Sequence, residues 1–114
     1  MIRPQHAIFS EGTRAHHHLE FSVRPDATDE QLRAALSKAR TCSADHRANG
    51  GVHVVFGFGP DLWQRLAAGE LPDGLAPFGG YASPDGDHVA PATQRDLWVW
   101  LHGPGPDWVI DVVR

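Results

Sequence analysis

The stretch VHVVFGF at residues 52–58 does most to decide the fold of this sequence. It is short, and β-branched and aromatic residues dominate it, which is typical of a buried β-strand. Asn49-Gly50-Gly51 before it is a loop signal, and Gly59-Pro60-Asp61 after it is a turn signal. The sequence therefore predicts a strand over residues 52–58, followed by a short helix that carries Leu62 and ends before Gly69.

Two other segments alternate between apolar and polar side chains, as half-buried strands do. Residues 17–23 predict a first strand with Leu19, Phe21 and Val23 on one face. Residues 96–102 predict a third strand, and we expect both of its faces to be covered. One face of that strand carries Leu97, Val99 and Leu101, and the other carries Trp98, Trp100 and His102.

A helix is predicted between the first two strands. Thr28 precedes Gln31 by three residues, which is the capping-box spacing at the start of a helix. Apolar residues then recur at helical intervals up to Ala39, so the helix has one apolar stripe to lay on a sheet. We expect it to end near Arg40, with a polar loop over residues 43–51.

The rest of the chain is less regular. Residues 69–95 contain the turn signals Pro72-Asp73-Gly74 and Pro84-Asp85-Gly86 among scattered apolar side chains, which predicts a long but anchored loop. The segment of residues 108–114 contains an apolar run that could form either a strand or a helix. The order of elements predicts an α+β fold, a ferredoxin-like β-α-β-β-α(-β) unit with an antiparallel sheet that lacks its last strand. We expect one domain over residues 1–114 and an open sheet edge that needs a partner.

Composition excludes several classes of function. Apolar residues make up 41% of the sequence and charged residues 21%, as in ordinary folded domains. A net charge of −4 offers no basic surface for nucleic acid, and no apolar stretch is long enough to predict a membrane span. Cys42 is the single cysteine, so no internal disulfide can form, and we expect a cytoplasmic protein.

Histidine is abundant, with eight residues in 114. In the run His16-His17-His18, the first and third side chains share a strand face and could be metal ligands, but the sequence places no further ligand beside them. An exposed strand end is the favoured interpretation, and the role of the run stays open. His53 and His102 lie in predicted strands where either could face a cavity, although packed histidines are more common there.

The aromatic pair Trp98 and Trp100 allows two interpretations. It could form an electron-transfer surface or an apolar ligand wall, but tryptophan in a strand more often packs in a core or an interface. No Ser/His/Asp order, metal-binding cysteine pair or phosphate loop is present in the sequence. The residues alone therefore predict only an α+β domain.

Four stretches, in this order and spacing, resemble the N-terminal half of dye-decolorising (DyP-type) haem peroxidases, nearest to the cytoplasmic B-type bacterial members. The stretches are Pro4-Gln5, residues 54–63 (VVFGFGPDLW), residues 71–78 (LPDGLAPF) and residues 90–101 (APATQRDLWVWL). The last two are the most specific, because a proline-rich loop that leads into Thr-x-x-Asp-Leu and a strand is uncommon. The resemblance covers nearly the whole chain.

The resemblance implies a peroxidase built from two ferredoxin-like halves, which binds haem in its second half and oxidises dyes and phenolic compounds with hydrogen peroxide. Its catalytic Gly-x-x-Asp-Gly aspartate, proximal histidine and distal arginine all follow the first half. Asp73-Gly74 and Asp85-Gly86 do not fit that signature, because Glu70 and Ala82 stand where it requires glycine. We therefore assign no catalytic or metal-binding residue and expect this chain to be a truncated or split half, inactive alone, whose partner is the C-terminal half.

Two other interpretations remain open. The chain could be a stand-alone module that pairs with a second copy of itself and binds haem or a small apolar ligand. His53, His88 and His102 would then be the candidate cofactor-binding residues. It could also be a non-catalytic interaction domain derived from the peroxidase half.

Overall fold

A computed structural model describes residues 3–114, apart from the side chains of residues 46–50. Eight helices and strands follow one another, with short 3-10 turns at His6–Phe9 and Ala68–Glu70. They are β1 (Ala15–Phe21), α1 (Asp29–Gly50), β2 (His53–Phe58), α2 (Pro60–Ala67), β3 (Tyr81–Ala82), β4 (Val89–Ala90), β5 (Leu97–Gly103) and α3 (Pro106–Val113).

The main sheet has three strands in the order β1-β5-β2. β5 pairs antiparallel with both neighbours, so β1 and β2 run parallel to each other on its two sides. A helix connects β1 to β2, as in a split β-α-β unit, and α3 follows β5. This confirms the predicted α+β class and the ferredoxin-like unit, with three strands in the main sheet of the described residues.

One face of the sheet is covered by helices. Val52, Val99, Leu101 and Val109 are buried together in the core, and Leu19 and Val54 pack against them. α1 contacts β2, and α3 contacts both β1 and β5. Burial of these aliphatic side chains, each contributing on the order of 1.5–3 kcal/mol, holds α3 on this face through Val109.

α1 is longer than its apolar stripe suggested. Thr28 caps it through the predicted capping box with Gln31, but the helix continues to Gly50, ten residues past the predicted end at Arg40. Asn49-Gly50-Gly51 was interpreted as a loop signal, and it is a helix C-terminal signal instead. Gly51 adopts φ 67°, the left-handed conformation that commonly ends helices and that glycine adopts without strain.

Other boundaries shift by one or two residues, and one open choice is settled. β1 begins at Ala15, not at His17, and ends at Phe21. The C-terminal segment is helical, because Pro106 stands at the first turn, where a missing N–H costs nothing. Within the predicted loop, β3 and β4 form a small antiparallel hairpin.

The outer edge of β2 is closed by a side chain. Gln5 donates from Nε2 to the Phe56 carbonyl at 2.6 Å and accepts at Oε1 from the Phe56 N–H at 2.8 Å. The amide therefore imitates one residue of a neighbouring strand, which is a usual way to blunt a sheet edge. Pro4-Gln5, one of the stretches of resemblance, thus has a structural role.

Asp96 ties together three segments at one end of the sheet. Its carboxylate accepts from the Val23 N–H at 2.6 Å, its own N–H donates to the Phe21 carbonyl, and its carbonyl accepts from the Gly59 N–H at 2.7 Å. The aspartate of the Thr-x-x-Asp-Leu stretch therefore fixes the end of β1 beside the turn between β2 and α2.

Replacing Asp96 by alanine should lower the free energy of unfolding by about 1–3 kcal/mol, because the half-buried Val23 N–H loses its acceptor. Urea unfolding followed by tryptophan fluorescence measures this. Asp96→Asn keeps one acceptor oxygen and should retain most of the stability, whereas Asp73→Ala is a surface control. Equal stability of Asp96→Ala and the Asp73→Ala control would contradict the assigned role.

Candidate functional site

The face of the main sheet opposite the helices, which we call the open face, carries four of the eight histidines and two of the four tryptophans. Strand alternation places alternate residues of each strand there. It is formed by His16, His18 and Glu20 of β1, His53, Val55 and Gly57 of β2, and Trp98, Trp100 and His102 of β5.

The rings on the open face make a continuous layer. Along β5, the Trp98 and Trp100 ring centroids lie 6.1 Å apart, and those of Trp100 and His102 lie 4.2 Å apart. The His18 ring lies 5.6 Å from Trp98, and the His16 ring lies 5.8 Å from Trp100, all within 26° of parallel. Such cross-strand ring pairs stabilise a sheet and fix its register.

One hydrogen bond joins β5 to β1 within this layer. The Trp100 Nε1–H donates to His16 Nδ1 at 3.2 Å. An indole nitrogen can only donate, so His16 Nδ1 is the acceptor in this bond. His16, His18 and Trp98 are all exposed, and 36% of the Trp98 surface is accessible to solvent.

The segment of residues 5–13, which we call the N-terminal strap, is bound to one end of the open face. The Ala7 carbonyl lies 3.1 Å from His102 Nε2, and the Thr13 hydroxyl lies 3.0 Å from His102 Nδ1. Ser10 Oγ lies 3.4 Å from His53 Nδ1. Two histidines from adjacent strands therefore anchor the strap.

His102 is the one buried polar side chain among the described residues, with no exposed surface. A carbonyl can only accept, so His102 Nε2 carries the proton and Nδ1 accepts from Thr13. Burial is the main cause that lowers the pKa of His102, and nearby His53 and His16 lower it further. The bond to the Ala7 carbonyl acts in the opposite direction. His102 is therefore held as a neutral ring.

The candidate cofactor residues are distributed unevenly. His53 and His102 are brought together, with ring centroids 5.0 Å apart. His88 lies outside the open face, at the β3–β4 hairpin, where its N–H donates to Ser83 Oγ. His17 points to the opposite side of β1 from His16 and His18 and is exposed.

The described residues form no metal-binding cluster, and His102 offers no free ring nitrogen to a metal or haem iron. In the part of the chain that the structure describes, no group of three or more His, Cys, Asp or Glu side chains is placed to hold a metal ion. Both ring nitrogens of His102 are engaged, so iron coordination would break one of its two hydrogen bonds.

A second feature lies on the helix side of the sheet. A cavity of about 680 Å³ between α1 and the sheet is lined mainly by apolar side chains. Leu36 of α1, Val54 of β2, Val99 of β5 and Val112 of α3 all contribute to its walls. The cavity can accommodate apolar groups but offers few polar groups to orient them.

Sequence reasoning missed the strap. It treated His53 and His102 separately, although the two are register partners across β2 and β5. It gave no role to Ala7 and Thr13, because a carbonyl group and a lone hydroxyl leave no pattern in sequence. The alternation in β1 and β5 was the available signal, since it places their histidines and tryptophans opposite their aliphatic residues.

The fold and the site define a ferredoxin-like α+β domain with one helix-covered face and one open aromatic face. The family profile described as Dyp-type peroxidase, N-terminal, matches residues 5–114. The chain belongs to this family, as its sequence motifs indicated. No curated protein matches the sequence.

Solved structures agree with this assignment. A DyP-type peroxidase protein from Shewanella oneidensis is 25% identical over 99% of this chain, with a TM-score of 0.81. DyPB from Rhodococcus jostii RHA1 is 21% identical over 95% of the chain, with a TM-score of 0.68. A dye-decolorizing peroxidase from Bacteroides thetaiotaomicron VPI-5482 is 19% identical over 96% of it, with a TM-score of 0.62. The chain spans only 37%, 36% and 36% of these proteins, respectively.

Proposed function

We propose that this chain is the first half of a haem peroxidase that oxidises dyes and phenolic compounds with hydrogen peroxide. In this proposal it completes the fold and walls the pocket, while a C-terminal half binds haem and carries the catalytic residues. The family match over residues 5–114, combined with coverage of only 37% of the Shewanella relative, carries the proposal.

The open face supports a role in assembly. Helices cover the opposite face of the sheet, so the side chains around Trp98 and Trp100 are the broad aromatic surface available to a second domain. Indole rings bury much apolar area at an interface and are frequent there. We propose that the C-terminal half packs on this face.

Complementation tests the proposed function. The C-terminal part of the Shewanella relative, produced without its own first half, is mixed with this chain and haemin. Peroxide-dependent dye oxidation and a Soret band of bound haem should appear in the mixture and in neither component alone. Trp98→Glu on the open face should reduce the dye-oxidising activity of the mixture, because it places a charge in the proposed interface. Trp108→Glu on α3 is the matched control and should leave that activity unchanged.

The relative's own first half is the positive control. If that half restores activity and this chain does not, the proposal of a pairing first half is contradicted. If this chain oxidises dye with haemin and peroxide without any second half, the assignment of catalysis to the absent half is wrong.

A second candidate function is favoured by the apolar cavity. The chain would act alone or as a dimer of identical copies and would bind haem or a small apolar ligand in the space of about 680 Å³ beneath α1, which none of the candidate histidines His53, His88 and His102 lines. Haemin titration of the purified chain tests this candidate. The same titration is made with the Leu36→Trp variant, whose larger side chain fills the cavity. A Soret shift in the parent chain that the filled variant loses would support this candidate, and no shift would contradict haem binding.

We also propose a cytoplasmic location. Cys42 is a single, exposed and unpaired cysteine, which suits a reducing compartment. Within the described residues, no helix has the length and apolar character needed to cross a membrane. Recovery of the protein in a periplasmic or secreted fraction would contradict the proposed location.

A further inference from the structure

We propose that the N-terminal strap is an acid-released cover over one end of the open face, with His102 as its latch. The proposal is independent of the peroxidase assignment, because it concerns contacts within this chain. It rests on a buried histidine whose two ring nitrogens are both used by the strap.

The strap is held by polar contacts that depend on neutral imidazoles. In the strapped state, His102 Nε2–H donates to the Ala7 carbonyl and His102 Nδ1 accepts from the Thr13 hydroxyl. Protonation of Nδ1 would turn this acceptor into a donor, so the Thr13 hydroxyl proton would have to turn away. It would also place a charge on a side chain that has no exposed surface.

The surroundings oppose that charge. From β2 the His53 ring lies 5.0 Å away, from β1 the His16 ring lies 5.8 Å away, and from β5 the neighbouring ring is Trp100. His6 of the strap stacks on His53 at 6.2 Å. Glu20 is the carboxylate on this side of β1, but it pairs with Trp98 at the far end of the strand. The charged groups that oppose a positive His102 are therefore other imidazoles, since His53 and His16 both lower its pKa.

The direction of the pH effect follows from these contacts. Because the pKa of His102 is lowered in the strapped state, the released state binds a proton that the strapped state does not. Strap release is therefore favoured as the pH falls below about 6.5, the ordinary value for histidine, and it is disfavoured above it. For one proton, the release equilibrium should rise by about tenfold per pH unit until the lowered pKa is reached.

Release can be measured at an amide outside the latch itself. The Phe56 N–H donates to Gln5 Oε1 at 2.8 Å, so its protection from hydrogen exchange reports whether the strap is attached. The Gly57 N–H lies in the β2–β5 ladder and reports on the sheet instead. We expect the protection factor of Phe56, corrected for intrinsic exchange, to fall by about tenfold per pH unit below about pH 6.5, with Gly57 unchanged.

His102→Gln is the decisive variant. A glutamine amide can donate to the Ala7 carbonyl and accept from Thr13, but it does not titrate. The protection of Phe56 should then change by less than about twofold between about pH 7.5 and about pH 5, the range in which histidine titrates. His88→Gln removes a histidine at the hairpin and should leave the pH dependence intact.

A second variant keeps the proposal testable if His102→Gln does not fold. His53→Gln removes the nearest like charge, so the pKa of His102 in the strapped state, followed by ring ¹⁵N shifts, should rise, and the acid-induced increase in strap release should level off at a higher pH and reach a smaller maximum than in the parent chain. Constant Phe56 protection in the parent chain would overturn the proposal. So would pH dependence that survives His102→Gln, or a parallel loss at Gly57, which would mean unfolding of the sheet.

Discussion

Gly59→Val should lower the free energy of unfolding by about 2–4 kcal/mol, because two costs combine at this position. A Cβ atom at Gly59 would lie 2.8 Å from the Arg95 carbonyl oxygen and 3.3 Å from Asp96 Cα, both parts of the backbone. Backbone cannot rotate away as a flexible side chain can. The displacement would also lengthen the bond from the Gly59 N–H to the Asp96 carbonyl, now 2.7 Å.

Gly79→Val is the matched control, because a Cβ atom there meets nothing within 4 Å. Urea unfolding should show a lower midpoint for Gly59→Val and a shift of less than about 0.5 kcal/mol for Gly79→Val. Equal shifts in the two variants would mean that the close approach at Gly59 carries no strain. A second readout is the Val23 amide, which should lose exchange protection in Gly59→Val because Asp96 also holds that N–H.

The elements that local pattern defines were predictable. The strand over 52–58 differs from β2 by one residue, and the capping box at Thr28 begins α1 as expected. The end of α1 was not predictable from the apolar stripe, because its last turns carry few apolar side chains and are ended by backbone conformation at Gly51. The same Asn-Gly-Gly letters serve as a loop or as a helix end, and only the three-dimensional context decides between them.

The candidate site was predictable in composition but not in arrangement. The alternation of β1 and β5 indicates which histidines and tryptophans share a face, yet the register that pairs His16 and His53 with His102 is a long-range property. The strap depends on a main-chain carbonyl at Ala7, and any residue type provides that group. Hence the number of histidines suggested a ligand site, whereas the structure brings four of the eight into a stacked layer on the open face.

Substitutions at Leu101 and His102, adjacent residues of β5 on opposite faces of the sheet, should change the free energy of unfolding with different pH dependence. Leu101 lies in the helix-side core with 2% of its surface exposed, beside Val52, Val99 and Val109. Leu101→Ala should lower the free energy of unfolding by about 2–5 kcal/mol, because it removes buried methyl groups and leaves a cavity. The loss should be the same at about pH 5 and about pH 8, since an aliphatic cavity does not titrate. Leu71→Ala, at a position 38% exposed, is the control and should cost less than about 1 kcal/mol.

By contrast, His102→Gln should reduce the acid dependence of stability, because the lowered pKa of His102 makes the parent chain less stable as the pH falls. Denaturant titrations of the three variants at both pH values separate the effects, and a pH-dependent loss in Leu101→Ala would show that the two faces are energetically coupled.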